Sequence, residues 1–257
     1  MTFAEQIVYG WFCPSKYKDL LELKRGRFVG YVIVMMLVLG IVGYVIPVAS
    51  TISGFGGFET LFTDNLGTVS YEKGALSVEH QFNMHINYAN VLIDTTKETI
   101  PNEDLKKEGM FLAIGSKTLR MTAVIGSEIT DYQVYHLDEL LFDGFTNQTL
   151  VDMIPSIYVT LVMMFLANTF GYFLKYGLIA LLFYFLVNSM NKQFDLNLQK
   201  GQVYALCFYG QSFAMILSNF NQAAGLLPAM LVSTVGMFVT VHMITASVAY
   251  LKNAKEF

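Results

Sequence analysis

Charge is scarce in this chain. Only 14% of its 257 residues are Asp, Glu, Lys or Arg, against about 25% in ordinary soluble domains. The formal net charge of −4 argues against nucleic acid as a partner, because that would call for a basic face. Cysteine is almost missing. Cys13 lies near the N-terminus and Cys207 inside an apolar stretch, so there is no disulfide framework to read. The sequence contains no phosphate-binding glycine loop, no His-Glu-x-x-His and no Gly-x-Ser-x-Gly. Gly54-Phe55-Gly56-Gly57 opens no βαβ unit. His80 and His85 are five positions apart. They would face opposite sides of a strand, or diverge by about 140° on a helix, which disfavours a shared metal. The expectation is a protein that is not an enzyme, with no catalytic residue, no metal and no cofactor.

Apolar side chains make up the difference. Hydrophobic residues are 54% of the chain, with 21 Phe and 15 Tyr, and the mean hydropathy is +0.48. The apolar residues are concentrated in long runs. Residues 28–49 run for 22 positions without a charge, where about 20 suffice to cross a bilayer. No small-residue cleavage site follows, so this run reads as an uncleaved signal anchor. Before it, residues 1–27 form a basic segment in which Phe3, Ile7, Trp11 and Phe12 can share a face. They read as a helix lying at the membrane surface with Trp11 at headgroup level, or as an unstructured cytoplasmic tail.

Residues 51–153 are different material. Charges return, and turn residues punctuate short apolar stretches. A hairpin is predicted around Lys73-Gly74 over 68–78, and a second around Gly115-Ser116-Lys117 over 110–125. Further strands are predicted at 85–88, 91–94 and 131–135, with a short helix over 101–108. The domain is therefore mixed and mostly β. A second apolar stretch over 152–188 is interrupted by Asn168, Gly171 and Lys175. As one helix, 157–188 would measure about 48 Å, more than the roughly 30 Å hydrocarbon core. It must tilt, project beyond the bilayer, or break near 168–171. Residues 202–220 and 226–251 complete a predicted bundle of about four spans, with a polar tail at 252–257. The predicted organisation is thus 1–27 cytoplasmic segment, 28–50 first span, 51–153 extracytoplasmic α+β domain, 154–251 spans two to four, and 252–257 cytoplasmic tail.

Orientation follows from the short basic segments. Lys16, Lys18, Lys24, Arg25 and Arg27 precede the first span, Lys192 and Lys200 separate the second from the third, and Lys252 and Lys255 follow the fourth. The turn over 221–225 has no positive residue. Four spans with both termini cytoplasmic satisfy all of these; a second stretch crossing twice would put the tail outside. The inserted domain then faces outward with 15 acidic residues against six basic ones. Long domains translocate largely regardless of charge.

Polar groups inside apolar spans need a reason. Lys175 is the charge that interrupts a span, and Asn168 lies seven positions earlier on the same helical face. Lys175 either contacts a substrate or ion, or snorkels to an interface. Gln211 belongs to a stripe with Tyr204, Cys207, Ala214 and Ser218, and the fourth span carries His242 and a stripe of Ser233, Gly236, Thr240 and Ser247. Such stripes pack helices closely and let hydroxyls bond across them; lining a transport pathway is the alternative. Asn168, Lys175, Gln211 and His242 are the candidate intramembrane polar residues.

The feature order carries a resemblance. A basic segment and one span lead into Tyr71-Glu72-Lys73-Gly74-Ala75-Leu76-Ser77-Val78, then Val91-Leu92-Ile93-Asp94-Thr95, then Gly109-Met110-Phe111-Leu112-Ala113-Ile114, and a polar-striped bundle closes the chain. This resembles an uncharacterised membrane-protein family of Gram-positive bacteria, some of whose members carry the label maltodextrin-utilisation protein. The bundle more remotely resembles Yip-type membrane domains. The resemblance implies a multi-pass plasma-membrane protein associated with sugar uptake and supplies no catalytic residues. A substantial outer domain joined to a bundle without charged pathways favours an accessory or scaffold protein whose outer domain binds a partner, such as a sugar transporter, or a ligand. A small transporter using the polar bundle residues is the alternative.

Overall fold

The computed structural model describes residues 1–86, 89–105, 108–126 and 128–254. They form two compact units: one of residues 1–46 and 163–257, the other of residues 47–162.

The first unit is helical. α1 (Phe3–Phe12) starts with a capping box. Glu5 N–H donates to Thr2 Oγ1, and Thr2 N–H donates back to Glu5 Oε2 at 2.6 Å. The Thr2 amide holds the exposed Glu5 carboxyl below its ordinary range. α1 is the helix that one of the two readings of this segment expects. Gln6 and Gly10 are its buried residues, while Phe3 and Phe12 are exposed. α1 docks through Gln6 and Gly10, with Ile7, Tyr9 and Trp11 partly buried against the core of the helical unit. A 3₁₀ turn (Pro14–Lys16) leads to α2 (Tyr17–Leu21). The buried Tyr17 hydroxyl donates to Gly10 O at 2.8 Å.

α3 (Arg25–Gly40) passes through a π-helical turn (Ile41–Val45) into α4 (Ile46–Gly54). Pro47 supplies the reason. It has no N–H for the carbonyl of Gly43, four positions back. The ladder slips one residue, with Ile46 N–H reaching Ile41 O. The slip leaves Gly43 where a Cβ would meet Asn219 Oδ1 at 2.2 Å and the Tyr172 hydroxyl at 2.4 Å. At Gly40, a Cβ would meet Thr169 Oγ1 at 2.3 Å. Glycine is what permits the close approach at both places.

α7 (Ile154–Gln193) is continuous over 40 residues, about 60 Å at 1.5 Å per residue. The break considered near 168–171 is absent. α8 (Lys200–Ala224) and α9 (Ala229–Asn253) follow. One device fastens both connections. Asn191 Oδ1 accepts from Leu198 N–H at 3.0 Å while its Nδ2 donates to Leu198 O. Asn221 grips the backbone of Leu227 in the same way, at 2.8 and 2.9 Å. Gly225 ends α8 in the left-handed conformation, φ 64°.

Among the described residues three helices are long and apolar enough to cross a membrane: Arg25–Gly54, Ile154–Gln193 and Ala229–Asn253. The expected third span lies within α8, which is long enough but less apolar. Burial explains its composition. Val203, Leu206, Cys207, Phe208, Tyr209 and Met215 are among its twelve buried residues, so it forms the interior of the bundle and tolerates glutamine and asparagine there. The other helices show the opposite pattern, with large apolar side chains facing out: Leu182 is 71% exposed, Phe238 73% and Met230 83%. Aromatic rings link the interior, with Tyr31 and Tyr209 centroids 4.8 Å apart and Phe28 and Phe208 centroids 5.8 Å apart.

The second unit contains two sheets and begins with α4, a short helix α5 (Phe58–Thr60) and a π-helical turn. β1 (Val69–Glu72) and β2 (Ala75–Val78) form the expected hairpin, joined by Lys73 (φ 51°) and Gly74 (φ 78°). Positive φ at both central residues is the type I′ signature. β3 (Phe82–Ile86), β4 (Ala89–Ile93), β5 (Gly109–Ile114), β6 (Thr118–Ile125) and β7 (Glu128–His136) form a sheet in that order. All its pairings are antiparallel except β4 with β5. β8 (Phe145–Thr146) adds a third strand beside β1, and α6 (Asn147–Asp152) follows. The strand expected at 85–88 instead occupies Phe82–Ile86, and Tyr88 lies outside the described residues. The short helix expected at 101–108 is a 3₁₀ turn, Asn102–Asp104; Lys106 and Lys107 also lie outside the described residues.

The β4–β5 crossover is fastened by Arg120, which is 7% exposed. Its guanidinium donates to the carbonyl of Ile100, to Asn102 Oδ1 at 2.7 Å, and to both Asp131 carboxylate oxygens at 2.8 and 2.9 Å. A bulge makes this possible. Met121 pairs with Gln133 but Thr122 pairs with Asp131, which leaves Tyr132 unpaired. The extra residue turns Asp131 to the face that bears Arg120 and Thr122. Burial works against the Asp131 carboxylate, but the Thr122 hydroxyl and Arg120 outweigh it and hold its pKa below the ordinary range. Asp94 is likewise lowered: burial opposes ionisation, and the Thr96 hydroxyl and amide, helped by Lys97, prevail.

Candidate functional site

The helical unit contains a groove of about 540 Å³ between α7, α8 and α9, a size typical of small-ligand sites. α7 contributes Ile179, Leu182 and Leu186 at near-helical spacing, with Lys175 and Tyr176 at one end. α8 contributes Gln211, Met215 and Ser218, and α9 contributes Ser233, Met237 and Thr240. The lining is mostly apolar and holds no acidic side chain.

Thr240 and Gln211 are the buried polar side chains of this groove, Gln211 being 2% exposed. Its Nε2 donates to Tyr176 O at 2.9 Å. Its Oε1 is buried without a hydrogen-bond donor. An acceptor left in that state costs about 1–3 kcal/mol. Lys175 is exposed, and its Nζ lies 5.2 Å from the centroid of the Tyr176 ring, a cation–π distance.

The four candidate polar residues are divided by the fold. Lys175 and Gln211 line one groove. Asn168 is half-buried on α7 outside that lining, and His242 is exposed on α9. The small-residue stripes do pack: a Cβ on Gly236 would sit 3.3 Å from Ala214 Cβ. Their hydroxyls, expected to bond across helices, turn back onto their own. Thr240 donates to Gly236 O and Ser247 to Met243 O. Tyr204 and Gln211 reach across to α7, Tyr204 donating to Gly177 O at 3.1 Å and Gln211 to Tyr176 O.

Reading the sequence alone missed Gly40 and Gly43. The available signal was two glycines three apart inside an apolar run, a spacing that brings helices close. Among the described residues no cluster of three or more His, Cys, Asp or Glu is placed to hold a metal ion. His85 Nδ1 instead lies 2.6 Å from Asn90 Oδ1.

The Ile93-Asp94-Thr95 element is structural. The Thr95 hydroxyl accepts from Val78 N–H at 3.0 Å, while Asp94 Oδ1 accepts from the amide and hydroxyl of Thr96. It ties the edge of one sheet to the other.

No curated protein and no solved structure matches the chain. Over residues 5–251 the sequence matches the family described as "Protein of unknown function (DUF1189)". A match over that much of the chain, from within α1 to the last turn of α9, decides membership: the protein belongs to the DUF1189 family.

Proposed function

We propose that this chain is a multi-pass plasma-membrane protein that acts by binding, as an accessory or scaffold protein, and catalyses no reaction. In this reading α3–α4, α7, α8 and α9 each cross the bilayer, both termini are cytoplasmic, and the β unit is outside. The observation that carries it is the reversal of polarity in the helical unit. Large apolar side chains face out on the three apolar helices, while Gln6, Gln211, Ser212 and Asn219 are buried. Lipid rewards that arrangement and water penalises it. α8 is counted as a span because its 25 residues measure about 37 Å, enough for the hydrocarbon core. Lys252 in the last turn of α9 supports the orientation; Lys255 lies outside the described residues.

A partner in sugar uptake, maltodextrin uptake in the first instance, enters this reading through the resemblance to the Gram-positive family. Affinity purification of the tagged chain from native membranes in mild detergent tests it. The reading expects the chain to resist carbonate extraction and to bring down a membrane transporter. Recovery of the chain alone would contradict the accessory role.

Transport by the chain itself is the second reading, favoured by Lys175 at the groove. Flux in reconstituted vesicles should then fall in a Lys175→Met variant. Unchanged flux removes this reading.

A further inference from the structure

We propose that the groove between α7, α8 and α9 seats an anionic membrane lipid whose headgroup carries a hydroxyl. The inference rests on the reading that these helices lie in lipid. Three features of the groove specify the occupant. Gln211 Oε1 is a buried acceptor that lacks a donor, so the occupant must bring an O–H or N–H. Lys175 supplies positive charge, and no acidic side chain lines the groove to neutralise it, so the occupant is an anion. The remaining wall of Ile179, Leu182, Leu186 and Met237 suits an acyl chain. Leu182, Leu186 and Met237 are themselves exposed, so the wall continues into the outward apolar surface. The occupant therefore arrives sideways from the bilayer, and a sugar or other hydrated solute would find few partners.

A helix from a second copy fits less well. The small residues that would admit it, Ala214 and Gly236, are already spent on the α8–α9 contact. A helix would also trap Lys175 without a counter-charge. A lipid phosphate pairs with the Lys175 ammonium, and a headgroup hydroxyl donates to Gln211 Oε1.

The test uses the full-length, delipidated chain titrated with three lipids of matched acyl chains, read by native mass spectrometry. Phosphatidylglycerol carries the charge and hydroxyls, phosphatidylmethanol the charge without hydroxyls, and phosphatidylcholine neither net charge nor hydroxyl. The expected order of affinity is phosphatidylglycerol, then phosphatidylmethanol, then phosphatidylcholine, in steps of about fivefold each, the value of one hydrogen bond or one partly screened ion pair. Gln211→Leu should make phosphatidylglycerol and phosphatidylmethanol equal. Lys175→Met should erase the advantage of both anions, and Lys175→Arg should keep it. Equal affinities in the wild-type chain, or an order that both variants leave intact, would overturn the proposal. So would a lipid-free dimer as the dominant species. Failure of the membrane reading shows itself separately, as release of the chain by carbonate before any titration.

Discussion

Gln6 Nε2 donates to the hydroxyl oxygen of Tyr209 at 2.5 Å, a hydrogen bond between residues 203 positions apart. It pins the first helix of the chain to the middle of its most buried one. Both partners are buried, so neither can turn to water if the other is removed. Tyr209→Phe should therefore cost about 1–3 kcal/mol and loosen α1. Hydrogen exchange of residues 3–12 in the full-length protein should speed up while that of α9 stays unchanged. Unaltered protection of α1 would show that the bond is dispensable.

Gly30 in α3 and Gly43 in the π-helical turn after it make a paired prediction. Gly43→Ala places a methyl group against Asn219 and Tyr172 and should destabilise by about 1–3 kcal/mol. Gly30→Ala adds a methyl group with nothing within 4 Å. It should be neutral, or stabilising by up to about 1 kcal/mol, because alanine favours the helix. Thermal unfolding in detergent should separate the two. Equal melting temperatures would contradict the close approach at Gly43.

Arg120→Met keeps the bulk of the side chain and removes every donor. The Ile100 carbonyl, Asn102 and Asp131 lose their partner. Losing one member of a buried ion pair costs about 3–5 kcal/mol. Asp131 is 39% exposed as a side chain, so water offsets part of this and about 2 kcal/mol is expected. Faster hydrogen exchange in β5–β7, with the helical unit unaffected, is the expected readout.

Asp94 and Asp131 also set a pH dependence. Both carboxyl groups have folded pKa values below their ordinary ones. Their stabilisation is complete above the unfolded value of about 3.9 and is lost as pH falls through the folded values. Exchange protection of the β sheets should be level from neutral pH down to about 5 and decline below about 4. Asp131→Asn should lower protection at neutral pH and flatten the acid decline. Protection that rises on acidification would contradict the sign.

Local features were legible in the sequence, and assembled ones were not. The Lys73-Gly74 hairpin was readable because two positive φ angles are a property of the turn itself. The parallel β4–β5 pairing and the Tyr132 bulge depend on which strands meet, and no local pattern states that. α8 looked like an ordinary span because hydropathy counts side chains without saying what surrounds them. Its glutamine and asparagines make sense only once it is seen inside the bundle. Helical periodicity placed Asn168 and Lys175 on one face of α7. It gave no means of seeing that α8 would bring Gln211 to Lys175 while leaving Asn168 and His242 outside the groove.

The central claim is the direction in which the chain is threaded through the bilayer, and cysteine labelling tests it most directly. In a background with Cys13 and Cys207 replaced by serine, single cysteines at Lys73 in the β hairpin and at Lys252 in the last turn of α9 report on the two sides. A membrane-impermeant maleimide added to intact cells should modify the Lys73→Cys protein at once and the Lys252→Cys protein only after permeabilisation. Modification of Lys252→Cys in intact cells, or of Lys73→Cys only after permeabilisation, would contradict the threading and the four-span account built on it.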